Sequence, residues 1–526
     1  MQKLLTIIFT FLPLMTLSAQ KETDRRWYIK SLTKDGVYGT AVTDAARLLK
    51  EKKPCTKKII VAVIDSGTDV EHPYLDGYLW TNKNEIPNNH LDDDGNGYID
   101  DIHGWSFVPD GPNGSPMVTP KYADFLSLKL IEILGNRPFN LEEQKQFDQL
   151  KLISNIPFLY EELSFYRFAY SLLNKIENSI LKNMDERFIN RRYLLQYLKA
   201  NHENLLLKER NQIRTIATMI DSETPWGKWK SSMKFRMEEA EATFKEQQEK
   251  AMRDDRKFVG DDLSSLDDKQ YGEAFLGGKN STHGTHVAGT VVRMVKAIEE
   301  ELKIKLPLQI MTLKAIPSGD EYDKDVALSI RYAVDNGASI INMSFGKTTT
   351  THSKWVSKAL DYAAKHDVLI IHAASNENRD LEKITYYPTP FDSKGRQRKN
   401  MLTIGASDPQ GLPASFSNYG KNTIDFFAPG VDIYASVPGN SYTYMSGTSM
   451  AAPVVTGLTA LVRIYYPELK AEAVKEAFTM SKKNTPAPEK FKQIKGKKGI
   501  HSYRDLSKGN GVIDFTNCIK WLDNLK

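Results

Sequence analysis

Short runs of apolar and β-branched residues recur along the chain, and each run ends in small or polar residues. Four such runs are 59–64, 306–316, 338–346 and 367–376. Helix-like stretches separate them, and one of these stretches stops at Gly337, which is typical of a helix C-terminus. This alternation predicts an α/β fold with a mostly parallel sheet flanked by helices. Functional residues of such sheets gather at the carboxyl ends of the strands, so the polar residues there are our candidates for chemistry.

The segment 111–270 differs in composition from the sequence on either side. It is rich in Lys, Glu, Gln, Leu and aromatic residues and poor in Gly. Asn140 and Glu143 have the spacing of a capping box at a helix start. One apolar helix face is predicted from Phe165, Phe168, Ala169, Leu172, Leu173, Ile176 and Ile180. We predict an all-α insertion over 111–270, within an α/β domain formed by 20–110 and 271–526.

Residues 1–19 have the pattern of a secretory signal peptide. Lys3 precedes an apolar stretch over 4–17, and Ser18 and Ala19 supply a small-residue cleavage site. This stretch is too short to span a bilayer, and no later apolar run is long enough to do so. We therefore predict an exported protein without a membrane span, located in the periplasm or outside the cell.

The charge balance disfavours a nucleic-acid binder. The 71 Lys and Arg residues nearly match the 66 Asp and Glu residues, the formal net charge is only +5, and no long basic stripe occurs. The two cysteines, Cys55 and Cys518, could form a disulfide in an exported protein or remain as two buried thiols. The sequence leaves both arrangements open.

Two histidines, His283 and His286, precede an apolar run that predicts a buried helix. A metal pair would favour histidines at i and i+4 with a third ligand, and this segment lacks that pattern. We interpret His286, one turn into the helix, as a core residue held by a hydrogen bond. His283 falls at the helix start on the loop side and is the better candidate for a general base.

Three other polar residues follow predicted strands or begin a predicted helix. Asp65 ends a buried strand, where it could orient an imidazole or cap the next turn. Ser449 begins a helix with Pro453 in its early turns, so backbone amides and the positive end of the helix dipole lie beside its hydroxyl. Those features stabilise an oxyanion on an attacked carbonyl, although an N-cap serine shares the position. The Asn376 amide, after another strand, can donate to the same oxyanion.

The segments that carry Asp65, His283, Asn376 and Ser449 resemble those of the subtilisin-like serine proteases, the subtilase family. Their chain order, Asp then His then Ser, is that of subtilisin. The resemblance implies that Asp65 orients His283, that His283 is general base and then general acid, and that Ser449 is the nucleophile. It also implies an oxyanion hole formed by Asn376 and the Ser449 backbone amide.

The resemblance extends to the substrate-lining residues and covers the chain outside the insertion. It places Ser344, Phe345 and Gly346 beside the residue that precedes the scissile bond. The other predicted lining residues are Ala373, Ala374, Ser375 and Tyr386. It implies protein or peptide substrates and no cofactor for catalysis.

Three features depart from compact members of that family. Asp65 and His283 are 218 residues apart because the helical segment lies between them. Ser375 stands where the family usually has glycine, and Tyr386 stands where compact members tend to have a small residue. Both changes add bulk, so we predict a narrowed specificity pocket that prefers small or medium apolar side chains.

The acidic loop "HLDDDGNGYIDDIHGW" copies the first half of a calcium-binding loop. Asp92, Asp94 and Asn96 at alternate positions would be ligands, and Tyr98 would offer its backbone carbonyl. The twelfth position is His103 rather than a bidentate Glu, so Asp100 or Asp101 would have to complete the shell. Similar loops of some subtilases are calcium sites, which supports a structural calcium ion. A solvated acidic turn is the alternative.

Two other functions remain as alternatives to a serine endopeptidase that forms an acyl-enzyme. One is a catalytically silent protein of this fold that binds a partner through the helical insertion. The other is a serine hydrolase acting on esters or lipids, which the order of the motifs disfavours. The insertion itself could gate the cleft, assist folding or be a passive addition.

Overall fold

A computed structural model of the chain describes residues 24–525 with interruptions. The residues outside this description are 1–23, 112–114, 116, 135–139, 181–190, 208–209, 212–213, 215–216, 218–225, 482–490, 493–499, 502 and 526. The predicted signal peptide, 1–19, therefore lies outside the described residues. Within the part of the chain that the structure describes, no helix has the length and apolar character needed to cross a membrane.

A seven-stranded parallel sheet forms the centre of the α/β domain. Its strands are β1 (Ile59–Asp65), β2 (Gly104–Ser106), β3 (Leu308–Lys314), β4 (Ile340–Met343), β5 (Leu369–Ala373), β6 (Met401–Ser407) and β7 (Phe426–Pro429). They lie in the order β2-β3-β1-β4-β5-β6-β7, and all neighbouring pairs are parallel. Their apolar side chains are buried because helices cover the sheet. The predicted α/β fold with a mostly parallel sheet is confirmed.

Helices occur throughout the described chain, and two short hairpins follow the sheet. The helices are α1 (Leu32–Asp35), α2 (Val42–Leu49), α3 (Tyr122–Leu134), α4 (Leu141–Leu150), α5 (Ile156–Ile180), α6 (Arg191–Ala200), α7 (Trp226–Met252), α8 (Thr282–Leu302), α9 (Asp323–Asp335), α10 (Ser353–Lys365), α11 (Thr448–Tyr465), α12 (Ala471–Ser481) and α13 (Phe515–Asp523). The hairpin strands are β8 (Ile433–Val437), β9 (Ser441–Met445), β10 (Phe491–Lys492) and β11 (Ile500–His501). Cys55 and Cys518 are both free thiols.

The buried helices α8 and α11 pack closely together and position the two helix starts singled out in the sequence. A Cβ atom at Gly457 in α11 would lie only 2.5 Å from the Met294 Cβ atom in α8, so glycine permits this approach. The start of α8 carries His283 to the end of β1, and the start of α11 carries Ser449 to the end of β4. Both helix starts therefore reach the carboxyl edge of the sheet.

Helices α3 to α7 lie within 111–270 and form the group that we call the helical module. Asn140 and Glu143 form a capping box at the start of α4, as predicted. On α5, Ala169, Leu172 and Leu173 are buried in a small core shared with α6 and α7, while the side chains of Ile176 and Ile180 lie outside the described residues. The exact bounds of the domains stay a prediction.

Candidate active site

The ends of β1 and α8 bring Asp65 and His283 into direct contact. The Asp65 Oδ1 atom lies 2.7 Å from the His283 Nδ1 atom and also accepts the Ser66 backbone N–H at 2.8 Å. Asp65 is buried, whereas a third of the His283 side chain is exposed. The carboxylate therefore fixes one ring nitrogen, while part of the imidazole stays exposed to solvent.

Two glycines allow this contact. A Cβ atom at Gly284 would lie 2.1 Å from the Gly67 carbonyl oxygen and 3.1 Å from the Asp65 Cβ atom. Gly67 itself has a φ of +113°, in a region that side chains rarely adopt. A larger residue at either position would push the start of α8 away from the end of β1.

The two histidines of α8 have opposite pKa shifts. Burial lowers the pKa of His283, but the charge and the hydrogen bond of Asp65 together outweigh it, so the pKa is raised above 6.5. His286 is buried without a charged partner, and burial lowers its pKa to about 4. Its Nε2 atom donates to the carbonyl oxygens of Ile433 at 3.0 Å and Thr443 at 3.3 Å. His286 thus has the packing role that the sequence predicts.

Ser449 lies in the first turn of α11 and is tied to the end of β4. Its hydroxyl donates to the Ser344 carbonyl oxygen at 3.0 Å, and the Ser344 hydroxyl donates to the Ser449 carbonyl oxygen at 2.9 Å. Ser344 is in turn held by the Asn342 side-chain amide at 2.9 Å. In this structure the Ser449 hydroxyl is therefore engaged with the Ser344 carbonyl oxygen.

The Asn376 side chain has one orientation that satisfies its neighbours. Its Oδ1 atom accepts the Thr448 backbone N–H at 2.9 Å and the Thr448 hydroxyl at 3.1 Å. Because a backbone N–H can only donate, the acceptor oxygen must face Thr448 and the Nδ2 donors must point elsewhere. Asn376 is exposed, so these donors are available to an oxyanion beside Ser449.

The predicted substrate-lining segment Ser344–Gly346 is held by a residue that the sequence reasoning missed. The buried His372 side chain in β5 donates from Nε2 to the Phe345 carbonyl oxygen at 2.9 Å. Burial lowers the pKa of His372 to about 4, so the ring is a neutral donor. Its apolar strand context gave no signal that it would reach the neighbouring segment.

The remaining predicted lining residues lie around the end of β5. Ala373 and Ala374 are buried at the strand end. Ser375 has a φ of +74°, which explains why glycine suits this position. The Tyr386 ring lies 3.2 Å from where a Cβ atom of Gly346 would be. The structure therefore gathers these predicted residues on one side of the cleft.

The hydroxyl of Tyr386 interacts with Ser375 and Glu377. Burial, reinforced by the Glu377 charge, raises the pKa of Tyr386, so this side chain stays neutral. Ser375 also donates to Glu377 at 3.2 Å, and Glu377 accepts the Asn418 side-chain amide at 2.9 Å. This network fixes the Tyr386 ring next to Gly346.

The acidic loop brings three carboxylates together, one of which the sequence reasoning did not include. Oxygen atoms of Glu85, Asp92 and Asp94 all lie within 4.8 Å of one another. The Asn96 backbone N–H donates to Asp92 and to Asp94, each at 3.0 Å, and the Gly97 N–H donates to Asp92 at 2.8 Å. Three hard oxygen donors in such a loop suit a calcium ion. Glu85 precedes the repeating acidic positions, so their spacing could not identify it.

The other predicted ligands have different partners. Asp100 accepts the backbone N–H groups of residues 89–90 at 3.2 and 3.0 Å. Asp101 is fully buried and is joined to Asp94 through the Asn82 side-chain amide, at 2.7 and 2.9 Å. The ring of Tyr98 packs in the core. Asp100 and Asp101 thus lie outside the carboxylate trio, and a contribution of the Tyr98 backbone carbonyl stays a prediction.

Comparison with known proteins identifies the family. The model of the subtilase family matches residues 56–497. The chain belongs to the subtilase family. This family comprises serine-type endopeptidases, and the resemblance seen in the sequence is confirmed.

Relatives of this subtilase match parts of it. The "Thermophilic serine proteinase" of Bacillus sp. (strain AK1) is 36% identical over 183 residues, which cover 35% of this chain and 42% of that protein. Subtilisin DY of Bacillus licheniformis is 31% identical over 220 residues, which cover 40% of this chain and 76% of that protein. A solved structure of a cold adapted subtilisin-like serine proteinase has 26% identity and a TM-score of 0.32, over 39% of this chain and 70% of that one. The subtilase thus spans less than half the length of the first relative.

Proposed function

We propose that this subtilase is an exported serine endopeptidase that hydrolyses peptide bonds of proteins through an acyl-enzyme. The 2.7 Å contact between Asp65 and His283 carries the proposal, because it provides an oriented base at the sheet edge that Ser449 also reaches. Asn376 adds an amide donor beside the same helix start. Family membership supports the endopeptidase class.

The proposed reaction has two halves. In the first, the Ser449 hydroxyl leaves the Ser344 carbonyl, passes its proton to His283 Nε2 and attacks the substrate carbonyl carbon. The tetrahedral oxyanion accepts hydrogen bonds from Asn376 Nδ2 and the Ser449 backbone N–H. His283 then protonates the leaving amine, and the C–N bond breaks to give an ester on Ser449.

In the second half, a water molecule replaces the amine. His283 accepts a proton from this water, which attacks the ester carbonyl through a second oxyanion at the same donors. Collapse of that intermediate returns the proton to Ser449 and releases the carboxylic acid product. Asp65 orients the imidazole and stabilises the imidazolium that forms in each half.

Active-site labelling tests this proposal. A fluorophosphonate probe should label the wild type and fail to label Ser449→Ala. The matched control is Ser446→Ala, which removes an exposed serine three positions earlier, whose hydroxyl contacts Asp432 rather than the site. Labelling that persists in Ser449→Ala, or is absent from the wild type, would contradict the proposal.

One observation favours the catalytically silent alternative. In the structure the Ser449 hydroxyl bonds to the Ser344 carbonyl oxygen instead of the imidazole. Catalytic hydrogen bonds are often formed only once substrate binds, so we regard this as a resting arrangement. A silent protein would show neither fluorophosphonate labelling nor peptide hydrolysis.

We also propose a narrowed specificity pocket and a structural calcium ion. The Tyr386 ring next to Gly346 supports a preference for small or medium apolar residues before the scissile bond. A peptide-library profile dominated by large aromatics would contradict that preference. The trio of Glu85, Asp92 and Asp94 supports the calcium site, since clustered carboxylates repel one another without a cation.

The proposed export and domain division rest on the sequence. Residues 1–19 would be removed as a signal peptide, leaving 20–110 and 271–526 as the peptidase domain and 111–270 as the insertion. Mass spectrometry of the mature N-terminus should find Gln20 as the first residue. A mature chain that retains Met1 would contradict export by this signal.

A further inference from the structure

A cavity of about 800 Å³ lies between the helical module and the α/β domain. The α/β domain contributes Gly346 and Tyr386 to its wall. The module contributes residues of α3, α5 and α7, including Leu159, Thr243 and Gln247. The volume lies within the roughly 300–1,000 Å³ of typical ligand clefts. Because Gly346 and Tyr386 are candidates for contact with the substrate, the cavity is continuous with the proposed substrate site.

Backbone hydrogen bonds fix the amino-terminal end of the module, just before α3, beside this site. The Ser318 N–H donates to the Met117 carbonyl oxygen at 2.8 Å, and the Thr119 N–H donates to the Ser318 carbonyl oxygen at 3.2 Å. Gly319, with φ at +144°, allows the contact, since a Cβ atom there would lie 2.0 Å from the Thr119 carbonyl oxygen. The chain therefore enters α3 from a defined position beside the cavity.

Buried ion pairs fix the carboxyl-terminal end of the module, just after α7. Arg256 donates to both carboxylate oxygens of Asp325 in α9, at 2.5 and 2.8 Å, and to both of Asp261, at 2.9 and 2.8 Å. Tyr271 adds a hydrogen bond to Asp325 at 2.6 Å. Arg256, Asp261 and Asp325 are almost completely buried, so this end of the module is held on the α/β domain. The two ends of the module are therefore held on the α/β domain, and α5 and α7 line the cavity between them.

We propose that the helical module forms part of the substrate-binding site. The cavity holds substrate residues on the amino-terminal side of the scissile bond, and α5 and α7 form its outer wall. This inference rests on the proposed endopeptidase function. The substrate passes between module and α/β domain as an extended segment of polypeptide. Binding of these residues, which lie away from the scissile bond, increases kcat/KM for longer substrates.

The test uses the full-length enzyme and peptide p-nitroanilides with one to six residues before the scissile bond. In the wild type, kcat/KM should rise with peptide length. Gln247→Trp fills the cavity from α7 and should lower kcat/KM for the longest substrate about tenfold. The same variant should leave the shortest substrate and the rate of fluorophosphonate labelling unchanged. Lys245→Trp, at an exposed position on the same helix and outside the cavity, is the matched control and should behave as the wild type.

A second variant, Leu159→Trp, fills the cavity from α5 and should reproduce the length-dependent loss. It keeps the inference testable if Gln247→Trp does not fold. Equal losses on short and long substrates, or no loss in either folded variant, would overturn the inference. A wild type that no fluorophosphonate labels would instead contradict the proposed function, so the two failures are distinguishable.

Discussion

The carboxyl edge of the sheet and the helical module differ in how tightly their side chains are held. At the sheet edge, Gly67 and Gly284 bring backbones into contact, and Asp65 and His283 have defined partners within 2.8 Å. In the module, the cavity-facing residue Gln247 is half-buried on α7, which packs against α5 and α6 in a small core. Chemistry needs atoms fixed to a fraction of an ångström, whereas substrate selection tolerates a looser wall. We therefore expect changes at the sheet edge to affect all substrates and changes in the module to affect only long ones.

The largest expected effect comes from Asp65→Asn at the sheet edge. An amide can donate to His283 Nδ1 and so favours the wrong imidazole tautomer, and we expect kcat to fall by about 10⁴ for every substrate. Asp76→Asn, at an exposed position beyond β1, is the control and should leave kcat unchanged. Steady-state kinetics on short and long peptides measure both. A loss of kcat confined to long peptides would contradict the expected difference between the sheet edge and the module.

The next largest effect concerns Asn376, the proposed oxyanion donor. Asn376→Ala should lower kcat by about 10²–10³ with little change in KM, because the donor acts mainly in the transition state. Asn376→Asp keeps an acceptor for the Thr448 N–H but removes the donor, so it should also lose activity. A raised KM with unchanged kcat would show that Asn376 binds substrate rather than the oxyanion.

A smaller effect should follow from opening the pocket at Tyr386. Tyr386→Ala should raise kcat/KM for peptides with Phe before the scissile bond about tenfold relative to peptides with Ala there. Tyr386→Phe keeps the ring and loses the hydroxyl, so it separates bulk from the contacts with Ser375 and Glu377. If both variants gain equally, the hydroxyl network rather than the ring limits the pocket.

The pH dependence sharpens the role of Asp65 at the sheet edge. His283 must be neutral to accept a proton, so kcat/KM should fall as the pH drops through its pKa, which lies above 6.5 because Asp65 outweighs burial. In Asp65→Asn the charge that raises the pKa of His283 is gone. The acid limb of the residual activity should therefore shift to lower pH. A pH–rate profile checks this shift. An acid limb at unchanged pH would show that a group other than His283 causes it.

The smallest effect concerns the acidic loop with Glu85, Asp92 and Asp94, which is the proposed calcium site. Chelation should lower Tm by about 5 °C, because a bound cation stabilises only the folded state. Glu85→Gln should remove this sensitivity, whereas Glu71→Gln, at an exposed position, should keep it. Thermal unfolding with and without calcium measures the shift. Equal chelator sensitivity in Glu85→Gln would place the ion elsewhere.

The sequence predicted features that local patterns encode. The predicted site residues lie at or just after a strand end or begin a helix, and parallel strands bring their carboxyl ends to one edge of the sheet. These residues are Asp65, His283, Asn376 and Ser449. The capping box of Asn140 was predictable for the same reason. These positions depend on a few neighbouring residues and on the fold class.

The features that the sequence did not predict depend on contacts between distant segments. His372 reaches the Phe345 carbonyl across neighbouring strands, and Glu85 joins the acidic loop from outside its regular spacing. The position of the module beside Tyr386 depends on ion pairs such as Arg256 with Asp325, which no local pattern encodes. The sequence could therefore predict a helical segment but not what that segment borders.

A crystal structure of the fluorophosphonate adduct tests the central claim most directly. We expect phosphorus bonded to Ser449 Oγ, with a phosphonyl oxygen about 2.7–3.1 Å from both Asn376 Nδ2 and the Ser449 backbone nitrogen. His283 Nε2 should face the modified oxygen while Nδ1 keeps its contact with Asp65. An adduct on another residue, or a phosphonyl oxygen turned away from Asn376, would contradict the account.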